Sequence, residues 1–230
     1  MAEIIEISRV ALHDQVVARL RTMLVEGRIP PGAKLNERTL SEQLRVSRTP
    51  LREAIKLLAA EGLVDLLPNR GAVAVKLTET DVLNTFEVLA ELEGMSGELA
   101  AKRISDEQLS ELRASHYEML ACFERQELSG YYRLNAQIHT LINDAASNPV
   151  LTSAYKSINA RVQSLRFRTN QNAAKWKRAI KEHEVMLEAM TARDSVAMRQ
   201  VLVQHLNNKR DTVLALMRAG EIYPLADLGT

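Results

Sequence analysis

The sequence predicts a mainly α-helical chain in two parts: three short helices closed by a β-hairpin, then an all-α antiparallel bundle of long helices. Two observations carry the prediction. β-prone runs gather around Pro68-Asn-Arg-Gly71 and vanish after about Lys76. Beyond that point apolar residues recur at helical spacing, and the joints between the rows are short.

The first helix spans about 9–26, with Val10, Val17, Leu20 and Leu24 facing inward. Gly27 and Pro30-Pro31-Gly32 stop it. Asn36-Glu-Arg-Thr-Leu-Ser-Glu-Gln-Leu44 is a short amphipathic helix with Leu40 and Leu44 on one side. Arg45-Val-Ser47 makes a tight turn into a third helix. There Ser47 or Thr49 can cap the start, and Pro50 suits the first turn. Leu51, Ile55 and Leu58 keep helical spacing, and Gly62 ends the run. Residues 63–67 and 72–75 then form a hairpin with its turn at Pro68-Asn-Arg-Gly71.

Three helices followed by a hairpin make a winged helix-turn-helix. Arg48, Thr49 and Arg52 cluster at the start of its third helix, where a recognition helix meets DNA. Arginine there can pair with guanine edges or phosphate; threonine can touch backbone oxygens or a thymine methyl. Arg70 at the wing tip can enter a minor groove or touch phosphate. Taken alone, the stretch also fits an ordinary capped surface helix with two arginines. The preceding helix, the turn and the hairpin favour the DNA-reading alternative.

The 230 residues suffice for one or two domains with a sizeable core, and we place the boundary between 76 and 77. Residues 1–76 hold 12 Lys/Arg against 9 Asp/Glu, and the remainder 18 against 20, so the N-terminal part alone is positive. That sign suits a DNA-binder joined to a slightly acidic partner domain. The single cysteine, Cys122, excludes an internal disulfide framework and suits a reducing cytoplasm. No signal peptide and no apolar run of membrane-spanning length is apparent, so a cytoplasmic location without membrane contact is expected.

In the second part, Thr78-Glu-Thr-Asp81 precedes a helix over about 79–102, and Ser105-Asp-Glu-Gln108 resembles a capping box for one ending near 126. Further helices run over about 129–146, 149–169, 174–191 and 195–219, with breaks at Asn148-Pro149 and Ala192-Arg-Asp194. The bundle occupies 77–222. His139, His183 and His205 each fall in an apolar row, on three different helices, and Asn135 shares a face with His139. Two readings follow from the spacing. Three inward imidazoles can share one metal ion, or each can be a hydrogen-bonded core residue. His116, in the row Leu109, Leu112, Met119 and Phe123, reads as a packed core histidine.

These residues bring a family into view. Arg48-Thr-Pro-Leu-Arg-Glu-Ala54, then Glu61-Gly-Leu-Val64, then Pro68-Asn-Arg-Gly71 closely resemble the GntR family of bacterial transcription factors, as does Pro30-Pro-Gly32 before Leu35-Asn-Glu37. The resemblance covers about the first third of the chain and implies Arg38, Ser47, Arg48, Thr49, Arg52 and Arg70 as DNA contacts. Asn135-Ala-Gln-Ile-His139, Glu182-His183 with Leu187 and Ala189, and His205 are similar to the ligand-binding helical (FCD) domain of the FadR-type subgroup. That similarity implies a divalent transition metal, zinc or nickel, held by Asn135, His139, His183 and His205 at the floor of an effector cavity. Asn135 stands where aspartate is more frequent, which makes the site one negative charge poorer. Leu89 and Ala90 stand where the subgroup often carries an arginine, so a familiar carboxylate clamp is missing. Arg161 and Arg166 are the candidate replacements for binding the effector, against the plainer reading of solvated surface arginines.

A three-histidine metal with an open position could also activate water, with Glu182 or Glu184 as a base. Neither glutamate shares the direction of His183 on its helix, and no catalytic signature occurs elsewhere. The expected function is therefore that of a non-enzymatic, sequence-specific transcriptional regulator. The expected regulator is a homodimeric repressor that binds a short palindromic operator in double-stranded DNA and is released by a small metabolite, a carboxylate. The alternative is an architectural DNA-binding protein with a purely structural bundle.

Overall fold

The computed structural model describes residues 9–68, 71–169 and 173–222. The chain divides into two compact units, Met1–Leu77 and Thr78–Thr230. The first contains α1 (Arg9–Val25), α2 (Glu37–Leu44), α3 (Arg48–Ala60), β1 (Val64–Leu67) and β2 (Gly71–Ala74). The second contains α4 (Glu79–Arg103), α5 (Asp106–Glu124), α6 (Leu128–Ala145), α7 (Pro149–Thr169), α8 (Ala173–Thr191) and α9 (Ser195–Arg218).

In the first unit, Val17, Leu20 and Leu24 of α1 meet Leu51, Ile55 and Leu58 of α3 in a small buried core. Two guanidinium bonds from Arg21 to the Glu61 carboxylate, at 2.7 and 2.8 Å, tie α1 to the end of α3. Asn36 caps α2 by accepting from the backbone N–H of Arg38 and Thr39. The turn into α3 closes through Arg45 in the left-handed region, φ 54°. β1 and β2 pair antiparallel with Val64 opposite Ala74 and Leu67 opposite Gly71. One feature of the wing was invisible to periodicity. The Ala33 carbonyl accepts from Ala74 N–H, and the N–H groups of Gly32 and Leu35 donate to the Ala74 and Ala72 carbonyls, so β2 also pairs on its other side. That segment is too short for alternation to register, and Gly32 at φ 82° supplies the bend into it.

Among its described residues the second unit consists of helices and short joints, as the rows of apolar residues predict. Its starts carry the expected caps. Thr78 with Asp81 and Ser105 with Gln108 form complete capping boxes, and Asp194 accepts from Val196 and Ala197. α4 packs against α6, α7 and α9, and α5 lies against α6 and α8. The core between them includes Met119, Tyr131, Ile138, Ile142, Met186, Met190, Met198 and Leu202.

α4 and α9 approach closely because α4 offers glycines at the crossing. A Cβ on Gly94 would lie 2.7 Å from Val203 Cγ2, and one on Gly97 would collide with Leu202 Cδ1. Gly97→Val is therefore expected to destabilise the bundle by about 1–3 kcal/mol, since a close-packed crossing must spread to admit it. Thermal unfolding measures this; an unchanged Tm would contradict the close approach.

Candidate functional site

α3 exposes Arg48, Thr49 and Arg52 on one end while burying Leu51, Ala54, Ile55 and Leu58. Arg38 on α2 is exposed too. Arg70 lies outside the described residues. Ser47 occupies the cap position of α3, yet its hydroxyl makes no capping bond. Pro50 explains much of this. The third helical residue normally offers its N–H to the cap, and proline has none. Thr49 lies inside the helix and does not cap it either. Both hydroxyls stay exposed beside the arginines. Arg52 donates from Nε to Glu37 Oε2 at 2.8 Å, linking α3 to the first turn of α2.

In the bundle unit, α6, α8 and α9 bring His139, His183 and His205 to one point. Each is buried, to 3 %, 1 % and 4 % exposure. Their ring centroids are 5.2–5.3 Å apart in all three pairings. One nitrogen from each lies within 4.8 Å of the other two. Asn135 is buried one turn before His139 on α6.

The nitrogens do not satisfy one another. His139 Nε2 and both ring nitrogens of His183 have no hydrogen-bond partner. A buried polar atom left unpaired costs about 1–3 kcal/mol, and several at one point call for a shared partner. Burial pushes the His139 imidazole down to about 4 and His183 well below the ordinary histidine value. Neutral imidazoles are the form that ligates a cation. Orphaned, neutral, convergent nitrogens fit a divalent transition metal.

Two carboxylates hold the outer side of this cluster. His205 Nδ1 is hydrogen-bonded to Glu182 Oε2 at 2.6 Å. Glu182 also accepts from Asn208 Nδ2 at 2.7 Å and from Arg178 Nε at 3.2 Å. Glu93 Oε2 lies 2.6 Å from His139 Nδ1, a close contact short of hydrogen-bond alignment. Its other oxygen accepts from Arg166 Nη1 at 3.2 Å. Burial alone would raise the Glu93 carboxyl, but His139 and Arg166 together outweigh it and hold it at about 2. A carboxylate hydrogen-bonded to Nδ1, as Glu182 is to His205, favours the tautomer that leaves Nε2 free to ligate.

Arg166 is buried on α7 and also donates to Asn159 Oδ1 at 2.8 Å, whereas Arg161 is exposed. Residues five apart on a helix point about 140° apart, so the two arginines cannot face one cavity. Leu89 and Ala90 are buried in the apolar row of α4. His116 is buried on α5, as its row suggests. The sequence reading missed Glu93 and misjudged Glu182. Glu93 continues the row Phe86, Leu89, Ala90 toward Gly97 and Ala100, and a carboxylate in such a row is a legible signal. Glu182 does point away from its neighbour His183, but toward the histidine of the next helix.

Comparison with known proteins places both units. The FCD domain family matches residues 84–208, and the bacterial regulatory proteins of the gntR family match residues 12–73. The HTH-type transcriptional repressor RspR of Escherichia coli is 26% identical over 202 residues, covering 88% of this chain and 89% of its own. The Nta operon transcriptional regulator of Aminobacter aminovorans is 29% identical, covering 87% and 95%. The gluconate operon transcriptional repressor of Bacillus subtilis is 25% identical, covering 90% and 87%. Among solved structures, E. coli McbR/YncC superposes with a TM-score of 0.81 at 22% identity, over 90% of this chain and 98% of that one. A putative GntR regulator from Rhodococcus sp. RHA1 gives 0.72 at 19%, over 89% and 98%. Both show the same fold. With a gntR-type winged helix-turn-helix followed by an FCD domain, the chain belongs to the FCD-domain regulators of the gntR family, which are DNA-binding transcriptional regulators.

Proposed function

We propose that this regulator is a homodimeric repressor, released from a short palindromic operator by a small carboxylate bound beside a metal in its bundle. The observation that carries the reading is the cluster of His139, His183 and His205 with its unpaired nitrogens. A bundle that only supported the DNA-binding unit would have no need of unpaired ring nitrogens on His139 and His183 beside a third buried imidazole. An all-nitrogen set suits zinc or nickel, and Asn135, buried one turn before His139, is the candidate for an added oxygen. A divalent cation there would supply a Lewis-acidic anchor for an anionic effector. Arg166, buried and within reach of Glu93, is the candidate second anchor; the exposed Arg161 is not. The RspR and gluconate operon relatives are named as repressors, which supports the same direction of regulation here.

Among the described residues no helix is long and apolar enough to cross a membrane, in keeping with a cytoplasmic regulator. A two-fold dimer would present two copies of α3 to two half-sites. Release requires only that the effector bind the DNA-incompetent arrangement more tightly than the competent one.

The DNA side of the proposal makes a direct prediction. Ser47, Arg48, Thr49 and Arg52, with Arg38 and Arg70, are the proposed contacts. Arg48→Ala or Arg52→Ala should each cost about 1–3 kcal/mol of specific binding without unfolding the chain. Electrophoretic mobility shifts with a duplex selected by the wild-type protein measure the cost. Unchanged binding in both variants would remove α3 from the interface. On the effector side, operator affinity of the zinc-loaded protein should fall on titration with at least one of a panel of small hydroxy-carboxylates. An architectural protein would show no such response.

A further inference from the structure

We infer that Glu37 is a specificity-determining positioning residue, one that holds the Arg52 guanidinium in the orientation that reads a base. The inference rests on the assignment of Arg52 to the DNA interface.

Four arginines are exposed across α2, the turn and α3: Arg38, Arg45, Arg48 and Arg52. Of these four, only Arg52 has an ion-pair partner among the described residues. Its Nε donates to Glu37 Oε2 at 2.8 Å, and neither terminal nitrogen is engaged by a described residue. That bond restrains the guanidinium through its Nε edge and leaves its far edge, one N–H on each terminal nitrogen, unengaged. Two parallel N–H groups are what guanine O6 and N7 accept. Glu37 is itself anchored, because it is the first residue of α2, behind the Asn36 cap. The carboxylate and guanidinium come from helices joined by a tight turn, so their relative placement is set by the fold rather than by long flexible loops.

The pair is not explained by stability. Exposed ion pairs contribute little, and both partners keep substantial solvent contact, 58% and 34%. Nor is it explained by attraction to DNA, since a carboxylate beside a recognition helix repels phosphate. What the pair does supply is preorganisation. An arginine already held in one orientation loses less conformational freedom on docking, and it penalises a base that cannot accept its fork. The unpaired Arg38 and Arg48 can instead swing to phosphates, which tolerate many geometries.

The two accounts of Glu37 predict opposite signs. If the carboxylate acts only through its charge, its removal strengthens binding to all DNA equally. If it positions Arg52, its removal loses discrimination at one base pair per half-site, the one that Arg52 reads. The test uses full-length protein. Binding sites are selected from a random duplex library with the wild-type chain. Affinities are then measured for the selected duplex, every single-base-pair variant and a random duplex. Wild type, Glu37→Ala, Glu37→Gln, Arg52→Ala and the double variant Glu37→Ala/Arg52→Ala are compared.

Arg52→Ala is expected to flatten the preference at one symmetric base pair by about five- to a hundred-fold. Glu37→Ala should flatten the same base pair, while affinity for random duplex stays level or rises. Glu37→Gln should retain part of the preference, because its amide oxygen still accepts from Nε. The double variant should match Arg52→Ala alone. Circular dichroism confirms folding, which the loss of a half-buried glutamate at the helix start is not expected to abolish. An unaltered base preference in Glu37→Ala, or a loss at a different base pair from Arg52→Ala, overturns the inference. A failure of Arg52→Ala to change any preference overturns instead the placement of Arg52 on the bases.

Discussion

Glu93→Ala is expected to lower the stability of the bundle by about 3–5 kcal/mol, the range for breaking a buried ion pair from one side. Glu93 is 3% exposed and lies between two buried partners, Arg166 at 3.2 Å and His139 at 2.6 Å. Its removal leaves the Arg166 guanidinium buried with only part of its partners. The lost charge matters more than the lost volume, so Glu93→Gln should cost less than Glu93→Ala. Removing both charges, as Glu93→Ala/Arg166→Met, should cost less than the two single changes added together. Urea denaturation of the full chain gives the four values. A Glu93→Ala variant as stable as wild type would mean that the pair is no structural element. The same variant should also bind zinc about 10–100-fold more weakly, because His139 loses the carboxylate that orients it.

The second large effect concerns metal. Zinc at about a thousand times its dissociation constant should stabilise the wild-type chain by about 4 kcal/mol, if it binds only the folded state. The His139→Ala/His183→Ala variant should show no such rise, because two of three imidazoles are gone. His116→Ala is the control. It removes a buried histidine of the same bundle outside the cluster, so its zinc-induced rise in Tm should persist. A double variant still stabilised by zinc to the wild-type extent would reduce the three histidines to core residues.

Several helices were legible because they carry their own local punctuation. Thr78, Ser105 and Asp194 announce their helices in sequence and cap them in the structure. Pro149 opens α7, and the row of α3 turns inward with Leu51, Ile55 and Leu58. The inward direction of the three histidines was also legible, since residue spacing fixes a helix face. That they meet at one point was not, because convergence depends on how α6, α8 and α9 cross. For the same reason Glu93 and Glu182 escaped notice as their partners: each supports a histidine on a different helix from its own. Arg161 and Arg166 show the opposite lesson. Their five-residue spacing already separates their directions, and the structure exposes one while burying the other. In the first unit, the failure of Ser47 to cap α3 traces to Pro50, whose missing N–H could have been read from the sequence.

The most direct test of the account is zinc X-ray absorption on the full-length protein, loaded with excess zinc and freed of unbound metal by gel filtration. The expected result is about one equivalent of zinc per chain, with imidazole scattering from three nitrogen ligands near 2.0–2.1 Å, completed by oxygen. The imidazole signal should fall in the His139→Ala/His183→Ala variant. Negligible zinc in the wild type, or a coordination shell that the double variant leaves unchanged, would contradict a metal centre at His139, His183 and His205.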